Sequence, residues 1–131
     1  MKDGASDSGD RGPSVERGPY RILVVEGEEL MRSVIVELLR SEGHETLEAN
    51  TETSALSILE RETTDLTLLD LDESSVLGAL GRFRDAHPDV LIISAHESVE
   101  SGVLALRRGA YDYITKPFAN EHLKAIVQRA R

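Results

Sequence analysis

Arg21-Ile-Leu-Val-Val25 is a short and almost wholly apolar run, and the polar stretch Glu26-Gly-Glu-Glu29 interrupts the chain directly after it. Leu30, Met31, Val34, Ile35, Leu38 and Leu39 then recur at three- and four-residue spacing. The run reads as a strand buried on both faces, and the spaced residues as the apolar face of a helix over 28–42. Gly43 is a natural stop for that helix, and Thr46 to Ala49 reads as a second short strand. The alternation continues to the C-terminus. Ala55, Leu56, Ile58 and Leu59 mark a helix over 53–61, Asp65-Leu-Thr-Leu-Leu-Asp70 a third strand, and Val76 to Ala86 a third helix. Val90-Leu-Ile-Ile93 is a fourth strand, residues 97–108 a fourth helix ended by Gly109, Ala110 to Ile114 a fifth strand, and a last helix begins at Asn120. Five strands alternating with five helices predict a parallel α/β sheet with right-handed crossovers and helices on both faces. The first, third and fourth strands are the most apolar and are expected at its centre.

The first 19 residues break this pattern. Only Met1, Ala5 and Val15 are apolar there, among many Gly, Ser, Pro and Asp. Such a segment cannot bury enough surface to offset its ordering entropy, so 1–19 is expected as a flexible tail and 20–131 as the one folded domain. The 131-residue chain has 15 Lys and Arg against 24 Asp and Glu, a formal charge of −9. That balance argues against direct nucleic-acid binding and against an anionic membrane surface. Without Cys there is no disulfide framework, thiolate zinc site or thiol nucleophile. No apolar run approaches the roughly 20 residues of a membrane helix, and the N-terminus has no apolar signal core. His44, His87, His96 and His122 show no ligand spacing and read as surface or loop residues.

Ligands of open parallel sheets bind outside the carboxyl ends of the strands. This selects residues 26–29, 70–75, 94–96 and 115–118. The topology brings Glu26, Asp70, Ser94 and Lys116 to one rim. A carboxylate can attack phosphorus to form an acyl phosphate, and phosphoryl transfer needs charge neutralisation, which a divalent cation, a Lys and a hydroxyl can supply. The constellation reads as an aspartyl phosphorylation site. Glu28 and Glu29 read as acids favouring the N-terminus of the first helix.

Ile22-Leu-Val-Val25, Asp65-Leu-Thr-Leu-Leu-Asp-Leu71, Ile92-Ile-Ser-Ala95 and Gly109-Ala-Tyr-Asp-Tyr-Ile-Thr-Lys-Pro-Phe118 occur in order across the domain. On these stretches, residues 20–131 resemble the receiver domain of two-component response regulators. The resemblance implies a doubly wound, flavodoxin-like sheet of order 2-1-3-4-5, with two helices on one face and three on the other, and a cis Lys116–Pro117 peptide. It makes Asp70 the phosphoacceptor, Ser94 the hydroxyl that contacts the phosphoryl group, Lys116 the neighbouring ammonium and Tyr113 the switch aromatic. Mg2+ would be held by Glu26, Asp70 and the backbone carbonyl of Asp72. A histidine kinase or phosphotransfer protein would be the donor. An output protein or domain would bind the face of the fourth helix, fifth strand and fifth helix. The location would be cytoplasmic, and the protein a phosphoacceptor with at most weak self-dephosphorylation rather than an enzyme.

The chain departs from the family pattern at Gly27, where a second acid is usual, and at Ser74, where Pro is usual. A degenerate receiver, binding partners without phosphate, is therefore an alternative reading. Leu68-Leu-Asp-Leu-Asp72 also fits the opening motif of haloacid-dehalogenase-type phosphatases, but it follows the third strand rather than the first. Gly102, inside the fourth helix, is expected to weaken that helix by about 1 kcal/mol relative to Ala.

Overall fold

The computed structural model describes residues 20–70, 80–83, 85, 89–94 and 99–130. The tail, Asp72, Ser74 and the first part of the third helix lie outside the described residues, as do His87 and His96. The chain runs β1 (Arg21–Val25), α1 (Glu29–Ser41), β2 (Glu45–Ala49), α2 (Glu52–Arg61) and β3 (Leu66–Asp70). Residues 80–83 and 85 are helical and mark α3. Next come β4 (Val90–Ser94), α4 (Val99–Arg107), β5 (Asp112–Thr115) and α5 (Asn120–Arg129). The five strands form one sheet of order β2-β1-β3-β4-β5, and every pair is parallel.

Each central strand is apolar on both faces because each face is covered. Ile22 and Val24 of β1, with Leu66, Leu68, Leu91 and Ile93, pack under α1 and α5. Leu23, Val25, Leu69 and Ile92 pack under α2, α3 and α4, which contribute Ala55, Leu80, Phe83 and Ala105. Two helices thus cover one face and three the other. β2, at the edge, alternates between exposed Glu45 and Glu48 and buried Thr46 and Ala49.

Two helix ends show why their glycines are there. Gly43 has φ 90° and Gly109 φ 104°. The Gly43 and His44 N–H groups donate to the carbonyls of Arg40 and Leu39, and those of Gly109 and Ala110 to Leu106 and Ala105. Both are Schellman closures, which need a left-handed residue after the helix. They also account for two departures from the sequence expectation. The second closure holds Ala110 against α4, so β5 begins at Asp112 rather than at Ala110. The first carries His44 inward, so this histidine lies in a loop, as expected, but is buried rather than on the surface. Its Nδ1 accepts from the Tyr20 N–H at 3.3 Å, and the two rings lie 5.6 Å apart.

Thr67 of β3 is fully buried, and its register partners Leu23 and Val90 belong to the core beneath α2–α4. Its hydroxyl has no hydrogen-bond partner, which costs stability relative to an apolar group of the same shape. Thr67→Val is therefore expected to raise the unfolding free energy by about 1 kcal/mol and the thermal midpoint by about 4 °C. A lower midpoint in the same scan would show that the hydroxyl is engaged.

Candidate functional site

Parallel pairing puts the carboxyl ends of β1, β3, β4 and β5 on one rim. Glu26 follows β1 directly, Asp70 and Ser94 are the last residues of β3 and β4, and Lys116 follows β5 directly. The Lys116 ammonium pairs with Asp70 Oδ2 and lies 3.2 Å from Glu26 Oε1. Both carboxylates are shielded, with side chains 11% and 6% exposed. The Lys116 N–H donates to the Ser94 carbonyl at 2.8 Å, tying the residue after β5 to the end of β4. The Lys116–Pro117 peptide is cis.

The Glu26 carboxylate is held from a second side by the Glu28 N–H, which donates to Oε2 at 2.8 Å. The Glu26 N–H donates to the Ala49 carbonyl at 3.0 Å, and Arg32 Nη1 donates to the Glu26 carbonyl at 2.9 Å. Sequence reasoning missed Arg32. It lies among the polar positions of α1, and nothing in the linear pattern couples it to a residue six places earlier.

Two acids and one ammonium in a shielded space cannot all keep their ordinary pKa values. Burial, reinforced by the neighbouring Glu26, pushes the Asp70 carboxyl up to about 7 against the pull of Lys116. Burial acts in the same direction on Glu26. It is outweighed by hydrogen bonds from the Asp70 carboxyl, the Glu28 N–H and Lys116, which together hold Glu26 below the usual carboxylate range. Burial pulls Lys116 down, but its two acidic partners outweigh this and hold it above its ordinary value. The two acids are thus driven apart, Asp70 toward holding a proton more readily than usual and Glu26 toward releasing one.

The other residues named from the sequence sit around this cluster. Ser94 is buried at the end of β4. Tyr113 is half-buried on β5 and packs with the core beneath α2–α4. Gly102 of α4 faces its ring: a Cβ there would lie 3.3 Å from Tyr113 Cδ1. Gly27 is exposed, and a Cβ on it would meet only the Asn50 carbonyl, at 3.5 Å. Asp72 lies outside the described residues, among which no group of three or more His, Cys, Asp or Glu side chains is placed to hold a metal. Glu26 and Asp70 nonetheless offer two adjacent hard oxygen donors. That suits Mg2+, which commonly takes one or two carboxylates and keeps several waters.

This rim and this strand order define a receiver-type α/β domain. A family model for the response regulator receiver domain matches residues 22–128, and the chain belongs to that family. It is 37% identical over 115 residues to a protein of Rickettsia bellii described as an NtrX-like response regulator, covering 83% of this chain and 24% of that protein. It is 36% identical over 114 residues to the regulatory protein AtoC of Escherichia coli, covering 84% of this chain and 25% of AtoC. The chain thus spans about a quarter of the length of these relatives. The crystal structure of the receiver domain of NtrX from Brucella abortus superposes with a TM-score of 0.76 at 37% identity, covering 83% of this chain and 96% of that one. No helix among the described residues is long and apolar enough to cross a membrane.

The raised Asp70 carboxyl predicts a pH dependence in metal-free buffer. Below its ordinary pKa of 3.8 Asp70 is neutral in the folded and unfolded chains alike. Between 3.8 and about 7 the unfolded chain has released a proton that the folded chain keeps, so stability falls as pH rises through that window. Above it the penalty is constant. Asp70→Asn should therefore raise the thermal midpoint at pH 8, by about 4 °C for each 1 kcal/mol recovered, and leave it nearly unchanged at pH 4. An equal shift at both values would place the cause elsewhere than in this titration.

Proposed function

We propose that this receiver domain accepts a phosphoryl group on Asp70. A carboxylate oxygen of Asp70 attacks the phosphorus of a phosphohistidine. The P–N bond breaks, the imidazole keeps the bonding pair, and an acyl phosphate forms on Asp70. The observation that carries this reading is the Lys116 ammonium held against Asp70 and within 3.2 Å of Glu26, at the ends of parallel strands. There it is poised to neutralise negative charge added to Asp70. A bound Mg2+ would supply further positive charge to the phosphoryl oxygens and favour the ionised nucleophile, with Glu26, Asp70 and the Asp72 carbonyl as its protein ligands. Ser94, at the adjacent strand end, would contact the phosphoryl group, and Tyr113 would turn inward as the switch aromatic.

The donor on this reading is a histidine kinase or a phosphotransfer protein, and the domain is cytoplasmic. The output partner would bind the face of α4, β5 and α5, where Val103, Leu104 and Leu106 are exposed. Phosphorylation would act by biasing two pre-existing conformations of that face. The family match beginning at residue 22 supports a domain boundary between the tail, 1–19, and the receiver, 20–131.

Asp70→Asn is expected to abolish phosphoryl incorporation from a small-molecule phosphodonor. Label retained at the wild-type level would remove Asp70 from the mechanism.

Gly27 favours the second reading, a receiver that binds its partner without phosphate, because it withholds a side-chain ligand. The room at this position makes the test clean, since a Cβ meets only ordinary van der Waals contact. Gly27→Asp should restore a charged ligand worth about 1–3 kcal/mol, roughly a ten- to hundredfold gain in Mg2+ affinity, with faster phosphoryl uptake. Unchanged affinity would mean that Glu28 or Asp72 already fills the gap. Mg2+ binding and phosphoryl uptake by the variant alone, with neither in the wild type, would establish the phosphate-independent module.

A further inference from the structure

We propose that Arg32 is a positioning residue for the acidic rim: it holds the turn at residues 26–28 through the Glu26 carbonyl, and Glu48 on the edge strand orients it. The inference rests on the reading of Glu26 and Asp70 as the acidic site.

The turn needs an external hold. Gly27 has no Cβ to restrict its backbone, so the link between Glu26 and Glu28 is the loosest part of the rim by composition. Beyond the turn, the Arg32 backbone N–H makes the ordinary first helical bond of α1, to the Glu28 carbonyl at 2.9 Å. The side chain adds the specific hold: its Nη1 donates to the Glu26 carbonyl at 2.9 Å. Between those points lies the Glu28 N–H, which donates to Glu26 Oε2. Loosening the turn would release the bond that aims the carboxylate.

The guanidinium is itself fixed. Its Nε lies 3.2 Å from Glu48 Oε1, and the Arg32 side chain is only 18% exposed. Nε and Nη1 belong to one rigid plane, so a bond at Nε sets the direction of Nη1. A lysine carries the same charge but cannot span both partners from one fixed plane. Glu48 of β2 is thereby linked to Glu26 after β1 by a side-chain route in addition to the sheet's own hydrogen bonds.

A positioning role and a simple charge effect predict opposite signs. If Arg32 acted only as a nearby cation, its removal would make the rim more negative and tighten Mg2+ binding. If it positions Glu26, its removal weakens binding. The experiment uses the 131-residue chain as wild type, Arg32→Met, Arg32→Lys and Glu48→Gln. Mg2+ titrations followed by amide shifts give the Kd. Amide hydrogen exchange in metal-free buffer gives the protection of Glu28, and phosphoryl uptake by the wild type is measured separately.

Arg32→Met is expected to raise the Mg2+ Kd about fivefold and to speed Glu28 exchange by a similar factor. Arg32→Lys should behave like Arg32→Met, and Glu48→Gln should move both readouts in the same direction by less. An unchanged or lower Kd with unchanged Glu28 exchange in Arg32→Met would overturn the proposal. Wild-type behaviour in Arg32→Lys would also overturn it, because charge alone would then suffice. Should the wild type take up no phosphoryl group and bind no Mg2+, the functional reading fails, and Glu28 exchange still decides whether Arg32 holds the turn.

Discussion

Parallel pairing across five strands is the constraint on which the rest of the molecule depends. Parallel neighbours cannot be joined by tight hairpins, so every strand must be followed by a crossover, and the crossovers cover both faces of the sheet. β1, β3 and β4 are therefore buried on both sides, and the polar residues of the inner strands collect where the strands end. The sheet concentrates polar chemistry at Glu26, Asp70, Ser94 and Lys116 because their strands all leave it in the same direction. Thr67, buried within β3 without a hydrogen-bond partner, is an exception that the core tolerates at a cost.

At the rim, one ammonium serves two acids. Lys116 reaches both Asp70 and Glu26, so among the described residues one cation faces two carboxyl groups here. Solvent is largely excluded from both acids, and burial beside Glu26 raises the pKa of Asp70 while that of Glu26 is held low.

Around the cluster, small side chains and long ones do complementary work. Gly27 leaves open space beside Asn50, whereas Gly102 lets α4 approach the ring of Tyr113. The Gly102 contact gives a tertiary reason for a residue that helix propensity disfavours. Arg32 and Glu48 span α1 and the edge strand, joining the outermost part of the sheet to the residue directly after β1.

Most of the architecture was legible in the sequence because burial on both faces leaves near-continuous apolar strands, and one-sided burial leaves helix-period spacing. Ile22 to Val25, Leu66 to Leu69 and Val90 to Ile93 could be read without any partner in view. Glu26, Asp70 and Ser94 were legible for the same reason, since each is the polar group that closes an apolar strand, and Lys116 was legible from the Thr-Lys-Pro stretch at the end of the fifth. The start of β5 and the burial of His44 were not legible, because each depends on how a helix closure aims the chain that follows it. The raised pKa of Asp70 and the hold of Arg32 on Glu26 likewise belong to the tertiary structure. A pKa depends on which charges and how much solvent surround a group, and a hydrogen bond on which atoms folding brings within about 3 Å. The order of residues along the chain therefore determined which groups reach the rim, while the packing of α1, β2 and the residue after β5 against it decided their charge and their aim.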